Sequence, residues 1–265
     1  MSVAPGPPRP ARSWQAAISL FTIIPAGGQA EIPAAAAGRL LAWLPVLGGL
    51  LASVAGAALW AVQETGPGTP RKLLAAVIAV AILTVLTGGL HLDGLADTAD
   101  GLGSRRPREQ ALDLMRKSDI GPMGVAALVF TVLIQVSALA VLPAGWPAAT
   151  ALVTAAITGR VAALLAADLP PARPEGLGAL VAGSVPRPGQ LVAAIALLAI
   201  AAGAGFAAGG PWLAARTAAA VAGGLAAGLA LRHTARRHLG GITGDVFGAL
   251  IEIGTTTTLL LLALL

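Results

Sequence analysis

Long stretches without charged residues recur along this chain of 265 residues, and they restrict its fold more than any other feature. A helix needs about 20 mostly apolar residues to cross roughly 30 Å of hydrocarbon. Such runs lie at 40–62, 73–90, 123–142, 148–169, 191–208 and 213–231, and from Val246 to the C-terminus. Charged residues make up only 11% of the chain, whereas a soluble domain carries about a quarter. The sequence therefore predicts an all-α, polytopic membrane bundle of about seven spans.

The N-terminal part of the chain differs from these spans. Residues 1–12 are rich in Pro and Arg and lack a long apolar core, which is typical of a disordered tail and not of a signal peptide. The apolar stretch 14–24 is too short to span, and Trp14 suits a membrane interface, so we predict an interfacial or re-entrant helix there. Residues 13–265 then form one membrane-embedded domain.

The absence of cysteine and the pattern of basic residues exclude several classes of function. Without cysteine the chain can form neither disulfides nor thiolate metal sites. The net charge is +5, but the basic residues are spread through the loops between spans, without interleaved aromatic residues. This pattern argues against nucleic-acid binding and indicates a role in membrane topology.

The same basic residues predict an orientation. If the spans alternate in direction, 13 of the 17 Lys and Arg residues fall on one face, and Arg71, Lys72 and Arg216 fall on the other. Cytoplasmic loops of membrane proteins carry the excess of Lys and Arg. The segment 88–124, the loop with Arg173 and the loop with Arg237 are therefore expected to face the cytoplasm together.

The segment 88–124 carries half of the acidic residues of the chain. Asp93, Asp97 and Asp100 have i, i+4, i+7 spacing, so on a helix they lie along one stripe. Carboxylates on one stripe repel one another, and a divalent cation between them relieves the repulsion. Their hard oxygen atoms are ligands that Mg²⁺ prefers, with waters and substrate phosphates completing its shell. The alternative is a solvated acidic helix end without a metal.

Other polar residues lie inside the spans or at their ends, where charge is costly and usually functional. A helix that starts after Gly121 would offer free amides to an anion. Asp245 and Glu252 are seven residues apart and would share one face of the last span. Arg160, in the fourth span, either contacts a ligand or pairs with a buried acid. Arginines four residues apart at the end of the sixth span, 232 and 236, either bind a phosphate or only set the topology.

These considerations give two sets of candidate residues. The residues predicted for catalysis are Asp93, Asp97, Asp100, His91 and Asp245, of which the first three would hold the metal. The residues predicted for substrate binding are Lys117, Ser118, Asp119, Arg160, Arg173, Arg236, Arg237 and Glu252.

Acids for a metal, arginines for anions and glycine-rich backbone suit a substrate that contains a diphosphate. The chain lacks the G-x-x-x-x-G-K-[ST] loop of nucleoside triphosphatases. We therefore predict metal-assisted transfer of a phosphoryl group between two substrates at a membrane surface. An ion-coupled transporter that uses Arg160 and Glu252 is the alternative from another class.

Four stretches of the sequence resemble the cobalamin synthase family, the adenosylcobinamide-GDP ribazoletransferases. They are HLDGLADTADGLGS, SDIGPMG, EGLG at 175–178 and GGITGDVFGALIE, of which the first and the last are the most specific. FTIIPA at 21–26 resembles the N-terminal element of the family, so the resemblance covers nearly the whole chain. One position departs from the pattern. Many members have Asp-Ser-basic before the Ile-Gly, whereas this chain has Lys117-Ser118-Asp119, so Asp119 matches the family less directly than Asp93 does.

The resemblance implies a multi-pass enzyme of the bacterial cytoplasmic (inner) membrane that needs Mg²⁺. Such an enzyme joins adenosylcobinamide-GDP to α-ribazole or α-ribazole 5′-phosphate, and it releases GMP. Small residues such as Gly224 and Gly228 permit helix association and thus a homo-oligomer in the lipid. The chain also resembles the CDP-alcohol phosphotransferases in chemistry, because their acidic helix binds metal and a nucleotide diphosphate. Asp97 stands where their pattern has Ala-Arg, so that resemblance is limited to chemistry.

Overall fold

The computed structural model describes residues 12–26, 34–66 and 68–265, so the predicted tail lies outside the described residues except for Arg12. The described chain is helical, with one isolated backbone pairing between Pro171 and Ile242. Its helices are α1 (Ser13–Phe21), α2 (Ala34–Ala42), α3 (Leu44–Glu64), α4 (Thr69–Leu86), α5 (Leu90–Gly103), α6 (Arg108–Leu114), α7 (Pro122–Val141), α8 (Trp146–Leu164), α9 (Leu177–Val181), α10 (Arg187–His238) and α11 (Gly244–Leu264). The predicted all-α class is confirmed.

Among the described residues, six helical stretches are long and apolar enough to cross a membrane: α2 and α3 taken together, α4, α7, α8, α10 and α11. With 52 residues, a straight α10 would be about 78 Å long, more than twice the thickness of the hydrocarbon layer. The helix is not straight, because Gly209 and Gly210 leave helical geometry just before Pro211. The Thr217 hydroxyl donates a hydrogen bond to the carbonyl of Ala201, 16 residues earlier. The two halves of α10 therefore fold back on each other, with the reversal between the predicted fifth and sixth spans.

Two predicted spans end earlier than their apolar composition indicates. Helix α4 ends at Leu86 and not at residue 90, because Gly88 and Gly89 adopt positive φ angles of 60° and 72°. Helix α8 ends at Leu164 and not at residue 169. Arg160 consequently lies about one turn from the end of its helix.

Helix α1 follows its prediction. It lies within the stretch 14–24 apart from its first residue, and Ala17 and Phe21 are buried. Helix α6, which also lies outside the spans, begins directly after Pro107. It buries Ala111 and Leu112, and Met115 at its end is buried as well.

Helices α8 and α11 form the centre of the bundle. Helix α8 packs against α3, α10 and α11, and α11 packs in addition against α5 and α7. In the 18-residue apolar stretches of α8 and α11, 72% and 61% of the residues are buried inside the protein, compared with 17% in α10. The first turns of α11 are therefore held in the core, next to the acidic helix α5.

Candidate active site

The three aspartates of α5 lie on one helix at increasing depth. Asp93 is exposed, Asp97 is half-buried and Asp100 is buried. The turn at Gly88 and Gly89 starts this helix and separates it from α4. The stripe therefore runs from the surface into the protein.

Asp100 binds the first turn of α7 with both carboxylate oxygens. The amide of Gly121 donates to one oxygen at 2.6 Å, and the amide of Gly124 donates to the other at 2.9 Å. A carboxylate at a helix N-terminus is stabilised by these amides and by the helix dipole. The sequence predicted that the amides at the start of α7 would bind an anion, and that anion is the side chain of Asp100. The preceding residues 117–119 are exposed.

Two loops that are distant in sequence meet beside α5. The amide of Ala172 donates to the carbonyl of Ile242, and the amide of Ile242 donates to the carbonyl of Pro170, both at 2.9 Å. A Cβ atom on Gly241 would overlap the carbonyl oxygen of Pro170. The glycine pair of GGITGD therefore lets the loop after α8 lie directly against the loop before α11.

This loop pairing brings Arg173 to Asp245. The guanidinium of Arg173 lies 3.3 Å from a carboxylate oxygen of Asp245 and also donates to the carbonyl of Leu112 at 2.7 Å. The hydroxyl of Thr243 accepts a hydrogen bond from the amide of Val246 at the start of α11 and lies 3.2 Å from Asp245. Asp245 is thus held in one orientation by side chains on both sides.

Helix α5 approaches the start of α11 at Gly94. A Cβ atom on Gly94 would come within 2.6 Å of the carbonyl oxygen of Asp245, so only glycine permits this contact. The neighbours Asp93 and Asp97 are thereby brought to the same place as Asp245.

A cavity of about 300 Å³ opens where these segments meet. Four predicted residues line it, namely His91, Asp93, Arg173 and Asp245. The other lining residues are Leu20, Phe21, Leu90, Glu175, Gly176, Leu177, Thr243, Gly244, Phe247 and Gly248. The rings of Phe21 and Phe247 stack with centroids 6.4 Å apart, so α1 supplies an apolar wall. All the segments with the family resemblance except SDIGPMG contribute to this one cavity.

The carboxylates around the cavity exceed the cations. The pKa of Asp97 is raised to about 6, first by burial and then by the charges of Asp245, Asp93 and Asp100. Arg173 is the cation that opposes this rise. A site with this charge balance attracts further positive charge.

The donor set fits Mg²⁺. Within the part of the chain that the structure describes, no three Asp, Glu or His side chains are grouped to hold a metal by themselves. Mg²⁺ is usually bound through one or two carboxylates, with waters and substrate phosphates as the remaining ligands. Two carboxylates from among Asp93, Asp97 and Asp245, which lie close enough for the charges of Asp93 and Asp245 to raise the pKa of Asp97, would meet that requirement.

Arg160 and Glu252 do not line this cavity. They line a second, smaller cavity of about 20 Å³, together with His91, Gln135 and Thr255. His91 lines both cavities, and its pKa is lowered well below the usual value, by burial first and then by the charge of Arg160.

The predicted arginine pair at the end of α10 is not available as a phosphate clamp. Arg232 is bound to both carboxylate oxygens of Asp168, at 2.8 and 2.9 Å, and Arg187 contacts the same carboxylate at 3.1 Å. Arg236 and Arg237 are exposed and do not line the main cavity. The reason is that Asp168, in the loop after α8, lies close enough to take the first arginine of the pair.

Three residues near the two cavities were not predicted. Thr243 caps α11, and a threonine before an apolar run is a recognisable N-cap signal. Arg108 donates to the carbonyl of Ala172 and packs against Gly240. Gln135 lies in an apolar span and bonds Glu252. The sequence signal for Gln135 was an uncharged polar residue within an apolar span.

Comparisons of the sequence with known proteins identify a family and several relatives. The model of the family described as cobalamin-5-phosphate synthase matches residues 13–263. An adenosylcobinamide-GDP ribazoletransferase of Frankia casuarinae is 42% identical over 258 residues, which cover 94% of this chain and 93% of that protein. Proteins of the same name from Bradyrhizobium diazoefficiens and Escherichia coli are 38% and 39% identical, and they cover 93% and 82% of this chain and 91% and 85% of their own lengths. No solved structure matches the chain.

Proposed function

The chain belongs to the cobalamin-5-phosphate synthase family and is a transferase with membrane helices, and we propose that it joins adenosylcobinamide-GDP to α-ribazole or α-ribazole 5′-phosphate. The products are adenosylcobalamin or its 5′-phosphate, and GMP. This assignment sets aside the carrier and the CDP-alcohol phosphotransferase as alternatives.

The observation that best supports the proposal is the meeting of four segments at one cavity. Asp93 of the acidic helix, Arg173 of the loop after α8, Asp245 of the last helix and Phe21 of α1 all line it. Carboxylates for a metal, an arginine and an apolar wall suit a substrate in which a diphosphate joins an apolar group to a nucleoside. The volume of about 300 Å³ suits the reacting diphosphate, while the bulky corrinoid remains at the membrane surface.

The acidic residues have separate tasks in this proposal. Asp93 and Asp97 would hold Mg²⁺ with Asp245 beside them, and the ion would supply Lewis-acid stabilisation of charge on the phosphates. Asp100 contributes negative charge near Asp97, while its own carboxylate oxygens accept hydrogen bonds from the amides of Gly121 and Gly124. Arg173 orients Asp245 and leaves part of its guanidinium for the anionic substrate.

The reaction forms one phosphorus–oxygen bond and breaks another. A ribose hydroxyl of ribazole attacks the phosphorus on the cobinamide side of the diphosphate. The bond from that phosphorus to the bridging oxygen breaks, and GMP leaves with this oxygen. The hydroxyl proton passes to the carboxylates of the cavity. The protein contributes by holding both substrates in line, which lowers the entropic part of the barrier.

The test is a reconstitution of the purified protein in liposomes with adenosylcobinamide-GDP and either form of ribazole, with and without Mg²⁺. We expect cobalamin and GMP in equal amounts only when the metal is present. Formation of neither product would refute the assigned reaction, and equal rates after chelation would refute the metal requirement.

We further propose that the cavity faces the cytoplasm of a bacterial inner membrane, as the distribution of basic residues predicts. Single cysteines introduced at Ser104 and Thr234 should react with a membrane-impermeant thiol reagent only after lysis. A cysteine at Arg71, at the opposite end of α4, should react in intact cells. Labelling of all three positions from one side would overturn this topology.

A further inference from the structure

The second cavity lies between α4, α5, α7, α8 and α11. It is deeper than the larger cavity lined by Asp93, Arg173 and Asp245, which is called the reaction cavity below. Its polar wall consists of His91, Gln135, Arg160, Glu252 and Thr255, joined by Thr84 of α4 and by Thr87, which follows that helix. His91 is 3% exposed and separates the two cavities, since it lines both. What happens in the smaller cavity therefore bears on a side chain of the larger one.

The polar groups around this cavity are only partly hydrogen-bonded to one another. The amide of Gln135 donates to Glu252 at 2.8 Å and to the hydroxyl of Thr256 at 2.9 Å. Arg160 donates to the carbonyl of Ala156 on its own helix, and among the described ion pairs none joins it to Glu252.

Two buried atoms in this wall lack a hydrogen-bond partner among the described residues. They are Nε2 of His91 and the hydroxyl oxygen of Thr255, and both side chains are at least nine-tenths buried. Buried polar atoms are nearly always hydrogen-bonded, because leaving them without a partner is costly. Both residues line the same small cavity.

The cavity has the size and charge for a single water molecule. Its volume of about 20 Å³ exceeds the roughly 10–15 Å³ that one water needs, and a buried water typically makes about three hydrogen bonds to polar groups. One arginine and one glutamate line the cavity, so their formal charges sum to zero and an uncharged occupant suits it.

We propose that this cavity binds one ordered water, which bridges Nε2 of His91 to the hydroxyl of Thr255 and to the side chains of Arg160 and Glu252. The water fixes the imidazole in the wall of the reaction cavity. Thr255 and Gln135 are thus positioning residues, and Arg160 and Glu252 act through His91 and not by contact with substrate. The role in the reaction rests on the proposed function, whereas the water site does not.

The test compares two isosteric substitutions on one helix. Thr255→Val removes the bridging hydroxyl. Thr258→Val is the matched control, because that buried hydroxyl bonds only to the carbonyl of Gly254 and does not line the cavity. We expect Thr255→Val to lower kcat about tenfold with little change in KM, Thr255→Ser to restore most of it, and Thr258→Val to remain close to the parent.

The water is observed directly by solid-state nuclear magnetic resonance in liposomes. The chain has three histidines, so replacing the exposed His233 and His238 with Gln leaves the imidazole of His91 as the single signal. We expect a contact between its ring nitrogen and a bound water, which Thr255→Val abolishes and Thr258→Val preserves.

Absence of that contact in the parent, or a spectrum and kcat unaffected by Thr255→Val, would overturn the proposal. A water contact in a protein that makes no cobalamin would instead refute the proposed function and leave the water site standing.

Discussion

Two clusters of charged side chains lie near the same end of the bundle. Cations outnumber acids in one, and acids outnumber cations in the other. Asp168 is one acid with two arginines, Arg187 and Arg232. Burial raises its pKa, but the hydrogen bonds and charges of these arginines outweigh burial and hold the pKa below its usual value. Beside the reaction cavity, Asp97 lies near Asp93, Asp100 and Asp245, with Arg173 as the opposing cation, and there the pKa of Asp97 is raised to about 6.

The difference separates a structural pair from a site that can do chemistry. The carboxylate of Asp168 is satisfied within the protein, so it fastens the loop after α8 to α10. The acids of the cavity repel one another, and that cost is recovered when a metal or another cation binds. A strongly perturbed group in a cleft, with like charges nearby, is the pattern expected of a functional site.

The largest effect is expected from Asp97→Asn, which removes one charge from the acid-rich group and keeps its shape. Turnover should fall at least about 100-fold, the scale seen when an electrostatic contact in a transition state is lost. The midpoint of thermal unfolding should stay the same or rise, because repulsion is relieved. Release of GMP from proteoliposomes measures the first effect, and Asp113→Asn on the exposed face of α6 is the control. Half or more of the parent activity would exclude Asp97 from the metal site.

A smaller loss is expected from Arg173→Gln, which removes the cation of the cavity and the bridge from Asp245 to Leu112. Turnover should fall roughly tenfold to 100-fold, and Arg173→Lys should restore only part of it, since a point charge cannot reproduce the two-sided contact of a guanidinium. Arg187→Gln is the matched control, because that side chain is 76% exposed. Equal losses from both substitutions would contradict the distinction between the two groups.

The third change tests the structural group and should leave the chemistry intact. Asp168→Asn leaves Arg232, which is largely buried, without its charged partner. The free energy of unfolding should fall by about 1.5–3 kcal/mol, while turnover per folded molecule stays within about twofold of the parent. Thermal unfolding and the transferase assay on the same preparation check both. Loss of activity without loss of stability would assign Asp168 to the reaction.

The smallest effect concerns pH. Because the folded pKa of Asp168 is below its ordinary value of 3.8, its stabilisation is complete above that value and is lost as the pH falls through the folded pKa. The difference in unfolding midpoint between the parent and Asp168→Asn should therefore be constant near neutral pH and shrink in acid. A difference that grows in acid would show that the pair is not the source of the stabilisation.

Several parts of the site were accessible from the sequence because they depend on local pattern. The i, i+4, i+7 spacing placed Asp93, Asp97 and Asp100 on one helix, and the TGD stretch began α11 with Asp245 in its first turn. The sequence did not predict how deeply each aspartate is buried. The burial of Asp100 depends on the start of α7, whose amides bind it.

Composition and periodicity determined the membrane-helical class, the order of the apolar helices and the acidic helix between two of them, because burial in lipid and helix spacing are properties of neighbouring residues. The tertiary structure decided which distant residues meet. The loop pairing of Ala172 with Ile242 brings Arg173 to Asp245, and the close approach at Gly94 adds Asp97 to them. Asp168 takes Arg232 out of a predicted phosphate clamp, and Arg160 and Glu252 lie in a cavity of their own. These pairings depend on helix crossings and loop contacts between residues far apart in the chain, which no local pattern of one sequence encodes.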